Sequence, residues 1–157
     1  MTPILRAAVA KDAPQIAGIL ISVRTHFMPY APSAHTDNEI RHWVATGILP
    51  AGGVVVAEVD GAIVGLVDAE RGTDASWIHQ MAVRPDFVGQ SIGSTLLAFV
   101  MAEFPRPIRL YTFQENTGAR RFYETHGFIV IAVTDGQDNE ERCPDVLYEL
   151  APVQTEA

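Results

Sequence analysis

Gln80–Leu97 reads QMAVRPDFVGQSIGSTLL, and the order of residue types in it decides the fold. The run up to Val83 is strand-like, and Pro85 stops it. A short loop carrying Gly89 follows. Ile92, Leu96, Phe99 and Val100 then recur at helical spacing, with Gly93 in the first turn, and Pro105 and Pro107 end the helix. Small residues at a strand–helix junction let a backbone approach a ligand closely. The free N–H groups of a first helical turn point outward, and the helix dipole favours an anion there. Val88, Gly89, Gln90, Ser91, Ile92, Gly93 and Ser94 therefore form a candidate pyrophosphate loop. The same residues also describe a plain tight turn with close helix packing. Two commoner phosphate motifs fail on spacing. Gly89 and Gly93 do not make the G-x-G-x-x-G of a dinucleotide site, and the one lysine of the chain is Lys11, so no P-loop is present.

Working outward, the N-terminal side opens with an apolar segment at residues 3–9 that can be a strand. Asp12 and Gln15 are spaced as a capping box. They precede Ile16, Ile19, Leu20 and Val23, which predict a helix over residues 13–24. Residues 26–35 hold two prolines and read as a loop. Thr36 and Glu39 form a second capping box before a short helix with Ile40, Trp43 and Val44 on one face, and Gly47 is placed to end it. Val54–Val59 is a β-branched strand, and Asp60-Gly61 a two-residue hairpin turn. Ala62–Glu70 returns, and Ser76–Val83 is a third strand. On the C-terminal side, Ile108–Phe113 reads as strand, Thr117–His126 as helix with Gly127 at its cap, and Phe128–Thr134 and Val146–Leu150 as strands. The order is β-α-α-β-β-β-α-β-α-β-β. It predicts a mixed sheet with helices on both faces, in the α/β or α+β class. Residues 1–151 read as a single domain and residues 152–157 as a disordered tail.

Composition removes several classes. The 157 residues carry 11 Lys plus Arg against 19 Asp plus Glu, a net charge of −8. That is a poor match to nucleic acid, whose phosphates are held mostly by Lys and Arg. The single cysteine, Cys143, excludes an intrachain disulfide framework and a multi-cysteine zinc site. No apolar run is long enough to cross a bilayer, and the N-terminus lacks a secretory pattern, so a cytoplasmic protein is the expectation.

The second informative stretch is Asn116–Phe128, NTGARRFYETHGF. Phe122 and Tyr123 fit core aromatics on a helix. A phenol can also donate a proton to a departing thiolate placed beside it.

Together these stretches resemble the GCN5-related N-acetyltransferase (GNAT) superfamily, over nearly the whole chain. The family's Arg/Gln-x-x-Gly-x-Gly/Ala loop falls on Val88–Gly93, with Val88 at the usual Arg or Gln and Ser91 at the usual middle Gly. The later pattern Asn-x-x-Ala-x-x-Phe-Tyr-x-x-x-Gly-Phe is matched at Asn116, Ala119, Phe122, Tyr123, Gly127 and Phe128. The resemblance implies a mostly antiparallel sheet of about seven strands flanked by four helices. A splayed strand pair would form an acyl-coenzyme A cleft. It implies acetyl-CoA as co-substrate, no metal, and direct transfer to a primary amine, a small molecule ranking ahead of a protein.

The roles it carries over are Tyr123 as general acid and the main-chain N–H of Met81 as oxyanion donor. Coenzyme contacts fall on Met81, Val83, Val88–Ser94, Asn116 and Tyr123. Strand alternation puts Trp77, His79, Met81 and Val83 on one face, which makes His79 a candidate base acting through water. Asp68, Glu70 and water itself are its rivals. The acceptor pocket is expected between His26, Phe27, Met28, Tyr30 and His35 on one side and the loop acids Asp135, Asp138, Glu140, Glu141 and Asp145 on the other. Those acids would attract a cationic amine, or simply lie in solvent. Alternatives are a non-catalytic acyl-CoA sensor on the same scaffold, a longer acyl donor, and an enzyme acting on protein N-termini or lysines. A homodimer is compatible with the family.

Overall fold

The structure, a computed structural model, describes residues 2–31 and 33–153. Pro152 and Val153 lie outside any helix or strand, and the rest of the expected tail, 154–157, lies outside the described residues. Seven strands form one sheet in the order β1-β2-β3-β4-β5-β7-β6. They are β1 (Ile4–Ala7), β2 (Val54–Val59), β3 (Ala62–Glu70), β4 (Ser76–Val83), β5 (Ile108–Phe113), β6 (Ile129–Thr134) and β7 (Asp145–Leu150). Every neighbouring pair is antiparallel except β4–β5. The helices are α1 (Ala13–Phe27), α2 (Asp37–Trp43), α3 (Leu49–Ala51), α4 (Ile92–Glu103) and α5 (Thr117–Thr125). A π turn at Val44–Ile48 joins α2 to α3, so four helical bodies flank the sheet, as expected.

The β2–β3 hairpin follows its turn chemistry, with Asp60 at φ 51° and Gly61 at φ 79°. The Thr36–Glu39 capping box forms in both directions, at 3.1 and 2.9 Å. The Asp12–Gln15 box does not form. Asp12 is claimed instead by Arg6 at 2.7 Å and by the Val9 N–H, while Gln15 accepts from Ile63 N–H. Arg6 also reaches Glu58 of β2, so α1 is anchored to the sheet by an ion-pair cluster remote in sequence. Gly47 does not end the second helix either. It packs under Trp43, where a Cβ would come within 2.9 Å of the indole, and Gly52 at φ 78° ends the run.

Two cores sit on opposite faces. Val67, Leu96, Leu97, Val100, Leu110 and Tyr148 pack under α4 and α5. Ile16, Ile19, Val44, Ile48, Val56 and Leu66 pack under α1 and the π turn. Gly65 lets α4 sit close on β3, because a Cβ there would press on Ile92 and Leu96 at 3.0 and 3.2 Å. No helix of the described residues is long and apolar enough to cross a membrane.

Candidate active site

The sheet is closed everywhere except in its middle. β4 and β5 pair only at Ser76↔Ile108 and Trp77↔Arg109, and then diverge. A cleft of about 660 Å³ opens where the pairing stops. Ile78, His79, Gln80 and Met81 line one side, and Leu110–Phe113 of β5 the other. Arg84 donates its N–H to Val64 of β3 at 2.8 Å. Main-chain groups alternate along a strand, so those of Met81 and Val83 turn the other way, into the cleft.

A β-bulge interrupts β4. Asp68 pairs with Gln80 and Ala69 with Ile78, which leaves His79 as the extra residue. The simple alternation expected from sequence therefore fails. Ile78, Met81 and Val83 pack towards α4 and α5, while Ala82 packs towards α1. His79 thus does not share a face with Met81 by parity. It sits at the junction of the cleft and a second hollow holding Asp68 and Glu70, with its Nε2 3.6 Å from Glu70 Oε1. Burial holds the Asp68 carboxyl above the usual carboxylate range.

Tyr123 lies on the cleft wall. Its ring is buried between Phe128 and Tyr148, at 5.6 and 6.2 Å between centroids. Burial pushes its phenol well above the ordinary value, so the hydroxyl keeps its proton. Asn116 also lines the cleft, but its side chain is engaged in capping α5, accepting from Ala119 N–H at 3.2 Å.

The loop after β4 has the geometry an anion needs. Gly89 takes φ 86° and Ser91 φ 67°, and α4 begins at Ile92. No main-chain oxygen among the described residues accepts from the N–H groups of Gly89, Gln90 or Ser91. Gly93 brings this end of α4 against Phe122 and Val83; a Cβ there would lie 3.4 and 3.8 Å from them. The loop is thereby fixed to the splayed end of β4. Its basic neighbour Arg84 is already paired with Asp86 at 2.6 Å, which leaves the loop amides and the helix dipole as the groups that could meet an anion here. These features fit a coenzyme A pyrophosphate held by main chain.

A second cavity of about 760 Å³ meets the cleft, and both are lined by Val23, Arg24, Met28, Gln80, Met81 and Glu141. Of the residues expected to form an acceptor pocket, Met28, His35, Glu140 and Glu141 line it, and Asp138 and Asp145 line the cleft. His26 and Phe27 do not: His26 faces a separate surface hollow with Arg84, and Phe27 is exposed against the His26 ring. Tyr30 is plugged against Phe113, and burial pushes its hydroxyl up to about 12. The loop acids divide, with Asp135, Asp138 and Glu140 exposed to solvent and the others held by contacts. Glu141 pairs with Arg24 at 3.1 Å and Glu140 with His35 at 3.1 Å, and Asp145 is buried. Arg24, at the meeting point of the cavities, was not singled out from sequence. Its one signal is that it is the only Lys or Arg between Lys11 and Arg41.

The acetyltransferase (GNAT) family model matches residues 20–128. An uncharacterized N-acetyltransferase of Archaeoglobus fulgidus is 34% identical over 86 residues, which is 45% of this chain and 56% of that protein. The chain thus spans little more than half the length of that relative. Among solved structures, the histone acetyltransferase HPA2 and related acetyltransferase of Corynebacterium glutamicum superposes with a TM-score of 0.77 at 19% identity, covering 100% of both chains. The PaiA N-acetyltransferase of Thermoplasma acidophilum, solved in complex with coenzyme A, gives 0.71 at 16% identity, covering 96% of this chain and 99% of that one. At these identities the likeness is one of fold. With the family model matched over more than half of its length, the chain belongs to the GNAT acetyltransferase family.

Proposed function

We propose that the chain transfers the acetyl group of acetyl-CoA directly to a primary amine of a small molecule, through one domain spanning residues 1–151. The observation that carries this reading is the opening between β4 and β5. It has the Met81 main chain turned into it and the Tyr123 ring on its wall, and β4 runs on into the loop before α4, whose Gly89–Ser91 amides meet no main-chain acceptor among the described residues. Bound acetyl-CoA supplies the acetyl group as a thioester. The amides from Gly89 to Ser94 hold its pyrophosphate. The Met81 N–H donates to the acetyl carbonyl oxygen as charge gathers there. Tyr123 donates its proton to the departing sulfur. His79, beside Glu70 at the mouth of the cleft, takes the proton of the acceptor through water. Coenzyme contacts extend to Val83, Val88 and Asn116.

The test follows thiol release from acetyl-CoA with a panel of small amines. Wild-type protein should turn over at least one of them, and Tyr123→Phe should lose about 10²-fold in kcat with coenzyme affinity unchanged. Full kcat in Tyr123→Phe would remove the acid assignment. Tight coenzyme binding with no thiol release from any amine would favour the non-catalytic sensor. His79→Ala should lower kcat by about 10²-fold with coenzyme affinity unchanged.

A further inference from the structure

Arg24 stands where the two cavities meet, beside Met81. A guanidinium has five N–H donors. Among the described residues only one of them makes a hydrogen bond, from Nη2 to Glu141 Oε1 at 3.1 Å. Nη1 is shielded from water and has no partner, a costly state for a charged donor. The side chain as a whole remains 25% exposed, so it is reachable from the cavities.

The unmet donor needs an acceptor, and an anion is the strongest one for a guanidinium; the coenzyme does not bring one here. Its pyrophosphate site is the loop before α4, which lines neither cavity, and its reacting thioester is neutral. The anion must come from the acceptor. The second cavity presents Leu20, Val23, Met28, Ile40 and Trp43 as an apolar surface, beside the polar His35, Asn38, Glu39 and His42.

We infer that the acceptor is a free amino acid with an apolar side chain, whose carboxylate is taken by Arg24 while its amine faces Met81. This rests on the acetyl-transfer reading above and names its substrate class. The carboxylate replaces Glu141 on Nη2 and, with that contact opened, its second oxygen reaches the covered Nη1, a bidentate geometry that suits arginine. A peptide N-terminus or a lysine side chain has no carboxylate beside its amine, so a protein acceptor leaves Arg24 unmatched.

The experiment uses matched acceptors: phenylalanine, phenylalanine amide and phenethylamine, with saturating acetyl-CoA and thiol release as the readout. Wild-type kcat/KM should favour phenylalanine by at least about tenfold over both. Arg24→Gln should erase that preference, mainly through KM, with coenzyme affinity unchanged, and Arg24→Lys should restore part of it. Equal use of all three by wild type, or a preference surviving in Arg24→Gln, overturns the inference while leaving acetyl transfer standing. A binding arm separates the two readings. N-acetylphenylalanine and its amide are titrated calorimetrically into protein saturated with coenzyme A. If no amine is acetylated but the carboxylate still binds in an Arg24-dependent way, acetyl transfer falls and the carboxylate site stands.

Discussion

The two sides of the candidate site that meet at Met81 are built from different materials. The proposed coenzyme side is main chain: a strand that leaves its neighbour after Trp77, amides from Gly89 to Ser91 that meet no main-chain acceptor among the described residues, and a helix N-terminus fixed by Gly93. The acceptor side is side chain: Arg24 from α1, Met28 and His35 from the following segment, and Glu140 and Glu141 from the loop before β7. Main-chain sites tolerate changes of residue type as long as the backbone path is kept. Side-chain sites do not. This is why Val88 and Ser91 can stand where relatives of this pattern carry other residues. It is also why the acceptor side has the greater freedom to set specificity.

That contrast can be broken or sharpened by substitution. The largest effect expected is at the proposed general acid. Tyr123→Phe should cost about 10²-fold in kcat. Because burial raises the phenol, the donor stays protonated as pH rises, so wild-type kcat should hold up to pH 10 with no loss traceable to Tyr123.

Next comes the anchor of the acceptor wall. Asp12 is buried in its ion pair with half-exposed Arg6, and Asp12→Ala should cost about 2 kcal/mol in denaturant unfolding. The Arg6 guanidinium holds the Asp12 carboxyl below the usual carboxylate range. A depressed acid stabilises the fold above its unfolded pKa, so the wild-type advantage should be full at neutral pH and fade as pH falls through the acid range. Loosening α1 should raise the acceptor KM and leave coenzyme affinity unchanged.

A smaller effect is expected from Gly89→Val. A β-branched residue resists φ 86°, and the strain should weaken coenzyme binding by about fivefold, read by calorimetry. Smallest of all are Gln90→Ala and Val88→Ala, which keep their N–H groups and should change coenzyme affinity by less than about twofold. A tenfold loss in either would show that side chains, not amides, hold the anion.

The same division decides what could be read from the sequence. Strands β2 to β5 and the Asp60-Gly61 turn follow from local residue patterns, and the structure places them at the expected residues. The misread points are those where a distant partner overrides a local rule. Asp12 reads as a cap for Gln15, but Arg6, brought in by β1, and the Val9 N–H occupy its carboxylate instead. Gly47 looked like a helix stop, but the Trp43 ring lies against it and the helix continues as a π turn. His79 looked co-facial with Met81 because alternation assumes an unbroken register, and the bulge exists only relative to β3. Arg24 carried no motif. Its importance comes from a loop more than a hundred residues later folding back to meet it.

Amide chemical-shift mapping on titration with coenzyme A tests the main-chain site most directly. The account predicts that the N–H resonances of Met81, Val83, Gly89, Gln90 and Ser91 shift and gain exchange protection, while those of Arg24 and the 135–144 loop respond only when an acceptor is added. Shifts centred on that loop, with the Gly89–Ser91 amides unmoved, would contradict it.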